Sequence, residues 1–168
     1  MLLDLETPAL LLDQDKMMRN IERLESRAAA LGVTLRPHLK TAKSVEVSTR
    51  LTGGVQAPIT VSTLAEAEAF HAAGHTDILY AVGIAPQKLA RVQAMRDTGC
   101  ELIVIRDNAA QADAVAQAGV PALIEIDSDG HRGGLRFDDP ALIEVGGILQ
   151  ANGCLRGVMT HAGESYTV

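Results

Sequence analysis

The sequence predicts an α/β fold, in which successive βα units lay down a parallel sheet that forms a partial (β/α)8 TIM barrel with about six barrel strands. Three observations carry this reading. From residue 33 onward a short apolar run, a polar break and an alanine-rich stretch ending in Gly recur in turn, which is the pattern of βα units. Six apolar runs keep that rhythm: "VTLRPHLK", "PITVST", "DILYAV", "ELIVI", "PALIEID" and "CLRGVMTH". No glycine-rich GxGxxG turn follows the first run, where "HLKTAKS" stands, so an open dinucleotide-binding sheet is disfavoured. Closing a barrel takes more strands than these, and Val168 falls just past the sixth run. The expectation is one domain, residues 1–168, that is an incomplete barrel.

Each element has its local signal. "PALLLD" reads as a strand outside the main sheet, followed by a helix over "KMMRNIERLESRAAALG". A short helix follows "RPHLKTAKS", with Lys43 expected in its first turn. Thr63 and Glu66 form a capping box before "LAEAEAFHAAG". Pro86 opens "QKLARVQAMRDTG", Asp107 or Asn108 caps "AAQADAVAQAG", and Asp139 with Pro140 opens "ALIEVGGILQANG". Gly74, Gly99, Gly119 and Gly153 each stand where a left-handed residue ends a helix and turns the chain into the next strand.

Composition bounds the function. With 47% hydrophobic and 21% charged residues the chain builds a core and is not disordered. A net charge of −6 and 2% aromatic residues argue against a nucleic-acid partner. The opening "MLLDLETPALLLDQDK" lacks a basic leader region and carries Asp4 and Glu6 among its leucines, so neither a signal peptide nor a membrane span is expected. Cys100 and Cys154 are far apart and outside any CxxC pattern. They read as buried, reduced thiols in a cytoplasmic protein.

Three stretches carry candidate chemistry. In "RPHLKTAKS" strand alternation puts Arg36, His38 and Lys40 on one face. Inside a barrel, at the C-terminal end of its strand, Lys40 would be partly desolvated and beside a guanidinium. Both effects favour the neutral amine that attacks carbonyls. Most lysines are solvated surface charges, so spacing alone leaves Lys40 open, with Lys43 as a weaker competitor. In "IEIDSDGHRGGLRF", Glu125 and Asp127 alternate onto one face and a loop then presents His131 and Arg132 at the strand end, where barrel sites are built. In "MTHAGESYTV", His161, Ser165 and Tyr166 reach the same rim. His71 and His75 do not make a metal ligand set, and no metal residues are assigned.

Taken in order, "TPALLLDQDKMMRNI", "RPHLKTAKS", "ITVSTLAEAEAFHAAGHTDILYA", "IEIDSDGHRGGL" and "THAGESY" resemble the D-threonine aldolase and D-serine dehydratase family, pyridoxal-phosphate enzymes with an alanine racemase-type barrel. The resemblance runs the length of the chain. It implies a lyase acting on D-3-hydroxy amino acids through a Schiff base on Lys40, with His38, Glu125, Arg132, His161, Ser165 and Tyr166 around the pyridoxal 5'-phosphate. Arg132 matches the arginine directed at the ring's phenolic oxygen. Glu125, seven residues earlier, is expected to hold that guanidinium in a paired geometry. Ala42 departs from the family's frequent KTHK. The resemblance further implies that this is an N-terminal fragment, inactive alone. The last barrel strands and a C-terminal β domain holding a divalent zinc or manganese site would be missing, and "ALLLD" would join that domain. A homodimer with a small D-amino acid substrate, and neither nucleic acid nor membrane, completes the expectation. A non-catalytic pyridoxal-phosphate carrier and an amino-acid racemase are the alternatives.

Overall fold

The structure, a computed structural model, describes residues 4–166. It comprises two compact units, residues 1–35 and 36–168.

The first unit is built on helix α1, Gln14–Leu31. Asp13 caps it, accepting from the Lys16 backbone N–H at 2.9 Å, and Gly32 ends it in the left-handed conformation at φ 65°. The expected strand "PALLLD" does not form. A strand needs a ladder partner, and Leu10, Leu11 and Leu12 stand exposed without one in this unit.

The second unit is a parallel sheet with helices on one face. Its strands are β1 (Ile59–Val61), β2 (Asp77–Gly83), β3 (Glu101–Arg106), β4 (Ala122–Asp127), β5 (Leu135–Arg136) and β6 (Leu155–Thr160). The order runs β1-β2-β3-β4-β5, with β6 also paired to β4, all parallel. The connecting helices are α2 (Val45–Thr52), α3 (Leu64–Ala72), α4 (Leu89–Asp97), α5 (Ala109–Gln117) and α6 (Ala141–Ala151). This is the expected α/β architecture, and five of the six apolar runs are strands.

The run "VTLRPHLK" is the exception. It makes a single parallel bridge, His38 to Thr60, through Leu39 N–H to the Thr60 carbonyl and Thr60 N–H to the Pro37 carbonyl, both 2.9 Å. Pro37 has no N–H to extend the ladder. The two-residue β5, absent from the sequence reading, pairs Leu135 and Arg136 with Ile126 and Asp127.

Alternation along the strands sorts the side chains. Ile59, Val61, Ile78, Tyr80, Leu102, Val104, Ala122 and Ile124 face the helices. There they pack with Leu64, Ala67, Phe70, Val92, Val115, Val145 and Leu149 in one buried cluster. The opposite face carries Thr60, Ala81, Gly83 and Glu125 toward the cleft described below. Both cysteines are buried free thiols, and burial first of all pushes the Cys100 thiol up to about 11. No helix among the described residues is long and apolar enough to cross a membrane.

Candidate active site

The C-terminal ends of the strands surround a cleft of about 320 Å³ lined by His38, Lys40, Ser62, Glu125, Arg132 and His161, with Ala81, Gly83 and Gly133 between them. Its size suits a small ligand. Glu125 reaches the cleft by alternation within β4, whereas Lys40, Arg132 and His161 come from the turn and loops that follow strand ends.

Lys40 lies on a turn of residues 39–42. Leu39 fixes one side of that turn by its backbone bond to Thr60 and by its own burial, and Lys43 N–H closes the other side onto the Leu39 carbonyl at 3.0 Å. Lys40 is an exposed residue, so the desolvation expected for it is absent from this structure. The expected row of three cations is also divided. Arg36 turns away to Asp77, with Nη1 and Nη2 on the two carboxylate oxygens at 2.7 and 3.1 Å, and to the Ile59 carbonyl at 3.3 Å. The guanidinium that shares the cleft with Lys40 is that of Arg132.

His38 is held at both nitrogens. Nδ1 accepts the Lys40 backbone N–H at 3.4 Å, which leaves the proton on Nε2, 3.2 Å from Ser62 Oγ. Burial, then the Lys40 charge and His161, lower its pKa, against a smaller opposing pull from Glu66. His161 meets Arg132, Nη2 to Nε2, at 2.6 Å. A guanidinium can only donate, so the His161 Nε2 lone pair accepts and the ring is neutral. Burial first, then the charges of Arg132 and Lys40, hold the His161 pKa below the ordinary value.

Glu125 and Arg132 line the same cleft, but no ion pair joins them among the described residues, and the guanidinium's partner is His161. The paired geometry expected for Glu125 is corrected accordingly. Burial, followed by Asp107, raises the Glu125 pKa, and Arg132 opposes that shift. Ser165 lies in the short 3-10 turn Gly163–Tyr166, and its hydroxyl donates to the Ala162 carbonyl at 2.7 Å. Tyr166 ends that turn, and its side chain lies outside the described residues. Lys40, His38, Glu125, Arg132 and His161 therefore come together, whereas Ser165 is engaged locally.

Two features escaped the sequence reading. Lys43 is not in a first helical turn: Ser44 caps α2, and Lys43 precedes it with φ 48°, its Nζ 3.2 Å from Glu66 Oε1. Arg106 ends β3 on the helix side, fully buried, donating to Gln111 Oε1 at 2.6 Å while Nε and Nη2 have no protein partner. Burial brings its pKa down to about 10. The capping signal Thr63/Glu66 pointed at one partner of Lys43; nothing local pointed at Arg106.

Residues 12–167 match the family described as alanine racemase, N-terminal domain. The chain belongs to the alanine racemase N-terminal domain family. It is 50% identical to the D-threo-3-hydroxyaspartate dehydratase of Delftia sp. (strain HT23) over 98% of its own length and 46% of that protein's. The solved structure of that dehydratase superposes with a TM-score of 0.95 at 49% identity, covering 99% of this chain and 46% of the other. D-threonine aldolase from Filomicrobium marinum follows at TM-score 0.79 and 29% identity, over 92% of this chain and 44% of the aldolase. The chain thus spans about half the length of these relatives.

Proposed function

We propose that this chain is the lysine-bearing barrel domain of a pyridoxal-phosphate-dependent lyase for D-3-hydroxy amino acids, of the D-threonine aldolase or D-serine dehydratase type. The observation that carries the reading is the convergence of Lys40, Arg132 and His161 on one cleft, in a chain that is half identical to a D-threo-3-hydroxyaspartate dehydratase. In this reading the domain continues through further barrel strands and a β domain in the part of the relatives' length that this chain does not span. The protein works as a cytoplasmic homodimer, and the isolated chain turns over little or no substrate.

The donor set fits the cofactor. A lysine and an arginine face one carboxyl whose pKa is raised, with two neutral imidazoles as further polar partners, a basic setting suited to a phosphorylated, phenolic ring. Lys40 would hold the aldehyde covalently and Arg132, with donors left over from His161, would face the phenolic oxygen. His38, Glu125, His161, Ser165 and Tyr166 would complete the surround. When bound, pyridoxal phosphate supplies an electron sink that stabilises negative charge at the substrate Cα. Proton transfer falls to Lys40: both ring nitrogens of His38 are engaged, and His161 Nε2 is taken by Arg132, whereas Lys40 Nζ is in no ion pair among the described residues. A zinc or manganese ion polarising the β-hydroxyl belongs, in this reading, to the unspanned part; no metal-ligand cluster occurs among the described residues.

The test is a titration of the purified protein with pyridoxal 5'-phosphate, followed by the visible absorbance of a lysine-linked pyridoxal. Lys40→Ala abolishes the band and Lys43→Ala retains it. A band that survives Lys40→Ala refutes the assignment. Assays of the full-length polypeptide on D-threonine, D-serine and 3-hydroxyaspartate, with and without manganese or zinc, then separate aldolase from dehydratase.

A further inference from the structure

We propose that the Lys43–Glu66 pair is a positioning device that holds the Lys40 turn in place from outside the cleft. The inference rests on the reading of Lys40 above. Lys43 adopts φ 48°, a left-handed conformation that a Cβ disfavours and that persists where surrounding contacts impose it. Its N–H closes the turn onto Leu39, and its ammonium reaches Glu66 Oε1 at 3.2 Å.

Glu66 is well placed to impose it. The residue is 9% exposed, and its other oxygen, Oε2, accepts from the Ser62 and Thr63 backbone N–H groups at 2.8 and 3.3 Å. Those bonds complete the capping box of α3, and they account for Oε2 alone. Oε1 is buried, and the Lys43 ammonium at 3.2 Å is its counter-charge. Burial acts against the carboxylate, yet Ser62, Lys43 and Thr63 together hold its pKa below the ordinary glutamate value. Removing the ammonium would leave a buried charged oxygen uncompensated.

The pair closes a circuit around Lys40. From Glu66 the path runs through the Ser62 backbone to Ser62 Oγ, then to His38 Nε2 at 3.2 Å, across the ring to Nδ1, and on to the Lys40 N–H at 3.4 Å. Lys40 is held to His38 on one side and, through the turn, to Lys43 on the other. Neither Lys43 nor Glu66 lines the cleft; they act on it through the turn.

Glutamine at the same helix position keeps a capping box while removing the charge, so Glu66→Gln separates the ion pair from the helix cap. Two readouts decide. Amide hydrogen exchange without added cofactor should speed up across residues 39–43 in Glu66→Gln and in Lys43→Met, with α3 unchanged in Glu66→Gln. Titration with pyridoxal 5'-phosphate should show apparent affinity weakened by roughly three- to tenfold in both variants, the double variant no worse than either, and Lys43→Arg close to wild type. Wild-type exchange in residues 39–43 of both variants overturns the inference, as does faster exchange that spreads equally into α3. If wild type gives no visible band, or Lys40→Ala keeps it, the cofactor reading fails while the exchange result still judges the turn.

Discussion

Arg132 determines what His161 can be. Because the guanidinium has no acceptor, His161 Nε2 offers its lone pair at 2.6 Å and cannot carry a proton while that contact lasts. The folded-state pKa of His161 lies below 6.5, through burial and then the Arg132 and Lys40 charges, so the unfolded chain binds this proton more tightly than the native protein. The sign follows: the contribution to stability is complete above the unfolded pKa and is lost as pH falls from there through the folded value. His161→Gln keeps an acceptor without a titration, and urea unfolding across the histidine range should show a shallower acid slope than wild type. Equal slopes would mean that His161 does not titrate differently in the folded and unfolded protein. The residues of the cleft could be read from the sequence because alternation and strand ends placed them; their partners could not. Arg36 finds Asp77 41 positions away and Lys43 finds Glu66 beyond α2 and β1, pairings that exist only once the sheet has formed.

Elements were legible wherever their cause is local. Thr63 and Glu66 make the reciprocal cap three residues apart, Asn108 caps α5, and Gly74, Gly99, Gly119 and Gly153 all take positive φ at helix ends. Strand β5 was illegible because two residues carry no periodicity; it exists through backbone pairing to β4. What makes that pairing possible is Gly134, at φ 119°, just before it. A Cβ there would stand 2.7 Å from Asp127 N and 2.8 Å from Ile126 C, backbone atoms that cannot move aside without breaking β4. Gly134→Ala should therefore lower stability by about 2–4 kcal/mol and separate β5 from β4, displacing Arg132 two residues earlier. Gly153→Ala is the matched control. Its φ of 68° is similarly disfavoured, but nothing lies within 4 Å of the added carbon, so only the left-handed cost of about 1 kcal/mol applies. Urea unfolding of both variants checks the difference, and equal losses would show that the close approach at Gly134 is relieved by small shifts.

For the molecule as a whole, the helices cover the sheet unevenly. Between α4 and α5 the side chains of Val92 and Val115 are fully enclosed, whereas α6 and β6 leave an apolar groove of about 440 Å³. Leu142, Ile143, Leu155 and Val158 line it, with Ile143 80% and Val158 65% exposed. In a βα barrel each such groove is covered by the next unit, and β6 pairs only with β4 among the described residues. The proposed continuation of the domain implies that an ANS-type dye binds the 168-residue chain strongly and the longer polypeptide weakly. Val158→Lys should act in opposite directions in the two contexts. In the 168-residue chain it places a charge in a groove open to water, and should reduce dye binding and concentration-dependent association without loss of stability. In the longer polypeptide it buries an unpaired ammonium under the next helix, and should lower stability by about 2–4 kcal/mol. If the substitution is silent in the longer polypeptide, nothing covers this groove, and the barrel does not continue across it.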